Sequence, residues 1–409
     1  MKKTRYPFLI ALSLFHVVGL KANDNTTLVN TQPSFNNDKV LLETQFTPVV
    51  LENLQGKLIV LPELQGRAMV GTFKVAKEDP FHDKSLGWIN RRYLQNKHTD
   101  PGAAVGGSTR LWFGSEKGPY AIFFAPGKPQ TVPNIRVPDA ISMDEYKIVR
   151  RSTSSVHMQA TADILNYSKF VFEVDIQRSI SLINEGDLLK ALSISSLDTV
   201  NAFAYEAHTK IKNVGSADWT AKTGMLSIWD LSAFDPSDNN TVVMPIRGSL
   251  TEPTAYFNEN STSHYRIMDD IVYYRANAKY MNKIGIPIEN TKPVLGSYDS
   301  ENNLLTIITF SFNPADKYYN NAVWFEDGYE AHKGEAINVF NDGSVGGKPP
   351  FGPFYELETS SSARPLKAGE THSHTHKVFH VTGERHTLNQ ISENLFGVDL
   401  ATIENVFKD

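Results

Sequence analysis

Cysteine is absent from this chain of 409 residues. Without a thiol there is no disulfide, no Cys-ligated metal and no thiolate nucleophile, so core packing alone must hold the fold. An excess of one charge sign is also missing: 40 Lys and Arg stand against 45 Asp and Glu, a formal net charge of -5. That balance supplies no basic footprint for a polyphosphate backbone, and no nucleic-acid partner is expected. No apolar run reaches the ~20 residues a helix needs to span a bilayer. There is no Gly-rich phosphate loop between a strand and a helix, no GxSxG elbow, no HExxH helix and no EF-hand loop. After residue 46 the chain has no low-complexity linker, charge run or short-period repeat, so one large domain is expected over 46–409.

The N-terminus opens with Lys2, Lys3 and Arg5, followed by an apolar run from Tyr6 to Leu20 and then Ala22, a small residue suited to a cut. This pattern predicts a cleaved signal over 1–22, a periplasmic or secreted protein, and no stable membrane insertion after cleavage. Residues 23–45, rich in Asn, Thr and Ser, are expected to be a flexible leader. Short apolar or alternating segments then recur between turn residues: Lys57–Leu61, Tyr120–Phe124, Phe170–Ile176, Lys210–Asn213 and Leu304–Phe312. In Phe170–Ile176 the apolar residues Phe170, Phe172, Val174 and Ile176 alternate with Glu173 and Asp175, the period of a half-buried strand. The 26 Gly and 21 Pro spread along the chain supply the turns of an all-β fold. Helical spacing is confined to the end, where Leu388, Ile391 and Leu395, then Leu400, Ile403 and Val406, predict two short helices. Gly397 would end the first and Asp399 would cap the second.

Ten strings carry a resemblance: Gln65–Phe73, Gly87–Asn90, Ser108–Gly114, Lys212–Gly215, Gly224–Phe234, Lys283–Pro287, Leu295–Asp299, Ile337–Gly343, Gly352–Ser361 and His374–His380. Taken in order, they resemble an uncharacterised family of secreted bacterial proteins related to the galactose-mutarotase-like (aldose 1-epimerase-like) superfamily. The resemblance implies a large β-supersandwich with a concave site for a mono- or oligosaccharide. It also implies a Glu base and a His acid acting at an anomeric centre, since neither proton leaves fast enough unaided. Glu358 is the best match for the base, in a string resembling LET. Glu356, two residues earlier, would share its face on a strand, as catalytic partner or sugar ligand. The string that should carry the acid, Gly224–Phe234, has Ser227, Trp229 and Asp230 but no His. His208 lies on the preceding strand, where it could face either way.

Four imidazoles crowd a late segment: His372, His374, His376 and His380. Alternation places the first three on one face of a strand. His374 and His376 could act as substitute catalytic acids, hold a divalent metal with Glu356 or Glu358, or be structural. Sugar sites pair aromatic platforms with polar groups, which nominates Trp88 with Asn90 and Trp112 with Arg110. Arg67, Asn338, Asn341, Asp342 and His380 fall inside the matching strings and are further ligand-binding candidates. Arg178 reads instead as a structural partner for a strand carboxylate. Three functions stay open: a carbohydrate-active enzyme, a non-catalytic carbohydrate-binding protein, and a metal-dependent sugar-processing enzyme.

Overall fold

The computed structural model describes residues 33–95, 105–256, 260–324, 330–344 and 350–408. The expected signal and residues 23–32 of the expected leader lie outside them. In chain order the elements are α1 (Phe35–Glu43), β1 (Val49–Glu52), β2 (Gly56–Leu61), β3 (Arg67–Phe73), α2 (Arg91–Gln95) and β4 (Arg110–Gly114). There follow β5 (Lys147–Arg151), β6 (Ser155–Leu165), β7 (Val171–Leu182), α3 (Glu185–Leu192), β8 (Val200–Asn213), β9 (Ser227–Phe234) and β10 (Asn240–Pro245). Then come β11 (Thr254–Ala255), β12 (Tyr265–Met268), β13 (Ile271–Arg275), β14 (Asn282–Ile286), β15 (Val294–Asp299) and β16 (Leu304–Phe310). The chain closes with β17 (Ile337–Asn341), β18 (Tyr355–Ser360), β19 (Thr371–Gly383), α4 (Arg385–Phe396) and α5 (Leu400–Asn405).

These strands form three antiparallel sheets. The largest has ten strands in the order β12-β13-β10-β15-β16-β19-β8-β7-β6-β5, and the second has six, β11-β14-β17-β18-β9-β4. A small sheet of β1, β2 and β3 stands beside them. The two large sheets pack face to face. Val174, Ile176 and Ile180 of β7 and Tyr205, Ala207 and Ile211 of β8 meet Ile228 of β9, Leu357 of β18 and Val339 of β17 in one core. Period-two alternation selects these residues, because successive side chains point to opposite faces.

The other face of the ten-stranded sheet is covered by helices. Leu188 and Leu192 of α3, Leu388 and Ile391 of α4, and Leu400 and Ile403 of α5 pack on Ala202, Ala204, Phe379 and Val381. Each such side chain contributes roughly 2 kcal/mol of burial. Gly397 ends α4 at φ 78°, and Asp399 caps α5 by accepting from Thr402 N.

Two expectations are corrected. Residues 35–43 are helix α1, not flexible leader: Ser34 caps it, and Phe35 and Leu42 bury against the small sheet with Ile59, Leu61 and Met69. Its Asp38 is also buried, paired with Arg91 at 2.7 Å and accepting from Ser85. The Asn-rich composition conceals that apolar pair. The run Tyr120–Phe124 is irregular rather than a strand, although Ala121, Ile122, Phe123 and Phe124 are core. Its amides are spent locally, Ala121 N on Gly118 O and Ile122 N on Ser115 O.

Candidate functional site

Both faces of the six-stranded sheet are buried. All eight residues of β9 and the first five of β18 are inaccessible. On the face turned away from the ten-stranded sheet, register sets up three rows. Lys283, Phe340, Glu356 and Ala233 form one; Asn338, Glu358, Leu231 and Arg110 form the next; Ser360, Trp229 and Trp112 form the third. Strands lie about 4.8 Å apart, so a long side chain reaches from one row into the next. Lys283 crosses to Glu358 Oε2 at 2.7 Å, and Arg110 crosses the other way to Glu356 Oε1 at 2.9 Å.

Aromatic rings frame these pairs. The Trp229 indole N–H donates to Glu358 Oε2 at 2.9 Å. Trp112 meets Trp229 edge-on at 5.5 Å, and the Arg110 guanidinium lies 4.3 Å over the Trp112 ring. Lys283 sits over Trp229 and Tyr256 at 4.5 and 5.1 Å. Tyr256 donates to Glu335 at 2.5 Å, and Asn338 bonds the same phenol oxygen. Burial pushes the Glu356 carboxyl upward, Arg110 pulls it down, and the charge of Glu358 adds to the rise.

On this face the acceptor Glu358 Oε1 and the donor Trp112 Nε1 have no partner among the described residues, and both are out of reach of bulk water. Their side chains meet at Trp229. Next to Trp229 a small cleft of about 10 Å³, the room of one water, is lined by Glu116, Ser227, Asn320, Asn338 and Ser360. Glu116 comes from the turn just after β4. Its carboxyl is raised to about 6, chiefly by burial and also by Glu358, against Lys283, a hydrogen bond from the Trp324 side chain, and Arg110.

The histidines lie on the opposite side of this sheet. Thr359 follows Glu358 on β18 and therefore points the other way, into the space between the two large sheets. There its hydroxyl bonds His374 Nε2 at 2.9 Å and His376 Nδ1 at 2.8 Å. Ser311 takes His374 Nδ1 at 3.1 Å, and Ser232 takes His376 Nε2 at 2.9 Å. The chain of contacts continues from Ser232 to Thr109 and on to Tyr205. Neither imidazole meets Glu356 or Glu358, and all four ring nitrogens are occupied.

The roles expected for His374 and His376, as acids beside Glu358 or as metal ligands, are thus corrected. A sheet separates them from the carboxylates, and metal binding would break their bonds to the hydroxyls. Among the described residues no group of three His, Asp or Glu is placed to hold a metal ion. Burial holds His374 near 3, with help from His372, His208 and Arg178, and holds His376 well below the ordinary imidazole range, so both are neutral.

Other expected ligand residues turn out to be structural. His380 is buried against the edge of Phe234 and bonded to Thr306. Arg67 is sealed inside, donating to Gln65 Oε1 and Gly106 O. Asn90 accepts from Tyr93 N at the start of α2. Asn341 ties down Tyr280 O and Ala278 N, and Asp342 accepts from the amides of Phe351 and Gly352. Trp88 stacks on Phe354 at 4.4 Å and is pinned by Gly106 and Gly352, where an added Cβ would stand 2.5 and 2.4 Å from its ring. Arg178 pairs with Asp230 at 2.9 Å in the sandwich interior.

Of the sequence-nominated residues, the structure brings together Glu356, Glu358, Arg110, Trp112 and Asn338. Lys283 and Glu116 were not nominated. Lys283 opens one of the matching strings without a motif of its own, and Glu116 lies two residues past another.

Residues 33–407 match a family model described as a family of unknown function (DUF6786). No curated protein matches the sequence. Among solved structures, the chain is similar to the Slr1438 protein of Synechocystis sp. PCC 6803 at 13% identity and TM-score 0.48, over 88% of this chain and 99% of that one. It is similar to a galactose mutarotase-like protein from Lactobacillus casei ATCC 334 at 11% identity and TM-score 0.45, over 82% and 100%. A galactose mutarotase related enzyme from Lactobacillus acidophilus gives 8% identity and TM-score 0.44, over 83% and 97%.

Proposed function

The chain belongs to this family of unknown function, DUF6786, and we propose that it is an exported protein that binds a mono- or oligosaccharide beside Glu358 and moves protons at or near the anomeric carbon. The observation that carries this reading is the pair of orphaned buried atoms, Glu358 Oε1 and Trp112 Nε1. Leaving such groups unpaired costs about 1–3 kcal/mol each. A hydroxyl can accept from an indole N–H or donate to a carboxylate, so sugar hydroxyls are suited to both atoms. Lys283 and the Trp229 N–H hold one oxygen of Glu358 in place, which fixes the other as proton acceptor. Export rests on the charged and apolar N-terminal pattern.

The test pairs titration calorimetry with NMR exchange spectroscopy on glucose, galactose, mannose and xylose and their disaccharides. At least one of these sugars is expected to bind and to interconvert its anomers faster with protein present. Glu358→Gln should cut the rate at least a hundredfold while the dissociation constant stays within about threefold. No binding at millimolar sugar, or an unchanged rate in the variant, overturns the reading. A second reading, binding without turnover, is favoured by the ion pairs that already tie both carboxylates to Lys283 and Arg110. Affinity without faster interconversion would select it.

A further inference from the structure

We infer that a cleft on the helix-covered side of the ten-stranded sheet binds a small organic cation, an alkyl ammonium or diammonium, independently of the sugar reading. The cleft opens between the turn from β12 to β13 and the junction of α4 with α5, and its volume is about 320 Å³. Small-molecule pockets begin near that size, about 300 Å³. Ile271 and Tyr273, which line it, pack in the outer core with α4 and α5, whereas Val272 and Tyr274 of the same strand point into the sandwich. The ten-stranded sheet therefore stands between this cleft and the Glu358 face.

Three carboxylates reach the cleft from three segments. Asp269, at φ 50°, and Asp270, at φ 58°, form a two-residue turn between the paired ends of β12 and β13. Glu393 comes from the last turn of α4, and Asp399 is the cap of α5. The carbonyl end of α4 adds partial negative charge. Among the described residues no Lys, Arg or His lines the cleft. Arg266, opposite Tyr273 on β12, and Arg275 lie instead over the Phe407 ring, at 5.6 and 4.8 Å.

Tyr273 points to a ligand by itself. It is only 1% exposed, yet its phenol bonds to no other described residue and lines the cleft. A buried hydroxyl left in that state costs about 1–3 kcal/mol. Burial, then the charges of Asp269 and Asp399, push it up to about 12, so it stays a neutral hydroxyl. Its oxygen can accept one ammonium proton while carboxylates accept the others. Asp399 already accepts from Thr402 N and the Thr402 hydroxyl, and Glu393 from Asn389. Each carboxylate has about four acceptor positions, so both retain capacity. Ile271 and Val398 supply apolar wall for a short carbon chain. At about 30 Å³ for each water-sized group the cleft holds roughly ten heavy atoms, the scale of a diamine. A bare metal ion is the poorer fit, since no group of three His, Asp or Glu among the described residues is placed to hold one.

Calorimetry and thermal melts on the full chain at low salt compare putrescine and spermidine with uncharged butanediol and with calcium chloride. At least one of the two amines is expected to bind with a submillimolar dissociation constant and to raise the thermal midpoint. Butanediol and calcium should do neither. Tyr273→Phe breaks no printed bond of the fold and should weaken amine binding about tenfold; Asp269→Asn should weaken it about three- to tenfold. Asp163→Asn, the same charge change on an exposed position of β6, should leave affinity unchanged. Should Tyr273→Phe fail to fold, the contrast between Asp269→Asn and Asp163→Asn carries the test. The inference is overturned if neither amine binds at millimolar concentration, or if butanediol or calcium binds as tightly as the amines. It is also overturned if Asp269→Asn and Asp163→Asn bind alike.

Discussion

The six-stranded sheet buries polar side chains on both faces, and the two faces satisfy them differently. Toward the interior, His374, Thr359, His376 and Ser232 form a closed sequence in which each imidazole nitrogen has a hydroxyl. The Arg178–Asp230 pair beside them is joined through Nη1 and Oδ1 and keeps one free atom on each partner, Nη2 and Oδ2. On the other face the ion pairs are equally tight, yet an acceptor and a donor of different side chains stay open beside a cleft. A buried polar group that is fully paired stabilises and positions. One left open next to a cleft is where the proposed ligand would have to bond. His374 and His376, which looked the more chemical in the sequence, belong to the first kind.

The largest expected effect tests the closed side. Thr359→Val strands one nitrogen on each of two buried imidazoles and should cost about 2–4 kcal/mol in urea unfolding. Sugar affinity should be kept, because residue 359 points away from the cleft. A loss of affinity without a loss of stability would break the distinction between the faces.

The next is pH. Burial holds His374 and His380 near 3 when folded, whereas an unfolded imidazole titrates near 6.5. The unfolded chain therefore binds more protons between those values, and stability is lost as pH falls below about 6.5. Each imidazole contributes about 1.4 kcal/mol per pH unit. Glu116 and Asp342, both raised to about 6 by burial, act with the opposite sign, weakening the fold as pH rises toward 6. Urea midpoints from pH 4.5 to 7 should show His374→Gln flattening the acid slope relative to wild type. An unchanged slope would mean that His374 is already charged in the fold.

The smallest effect sharpens the open side. Trp112→Phe removes the orphaned N–H and should leave stability within about 1 kcal/mol of wild type while weakening sugar binding about three- to tenfold. A clear loss of stability with affinity intact would assign that N–H to the fold instead.

Much of the architecture was readable where periodicity is strong. The alternation of Phe172, Val174 and Ile176 marks β7, and the spacing of Leu388 and Ile391 with Gly397 and Asp399 fixes both C-terminal helices. Tyr120–Phe124 misled because a short apolar run says that a segment is buried, not how its amides are bonded. On the site side, parity on β18 correctly set Glu356 and Glu358 on one face. Parity on β19 set His374 and His376 together as well, but nothing in a single strand says which side of a sandwich it presents to another sheet. Glu116 and Lys283 escaped for a related reason: their importance lies in crossing rows between strands distant in sequence.

The position of β19 has its own consequence. It lies in the middle of the ten-stranded sheet, paired along its length to β8 and on its other edge to β16. During synthesis both of those strands emerge long before it, each exposing an unpaired edge that the last part of the chain must cover. The largest sheet is therefore a late, slow closure, with many non-local pairings formed at once. Until residues 371–383 arrive, the nascent molecule is two half-sheets that need protection from each other's copies.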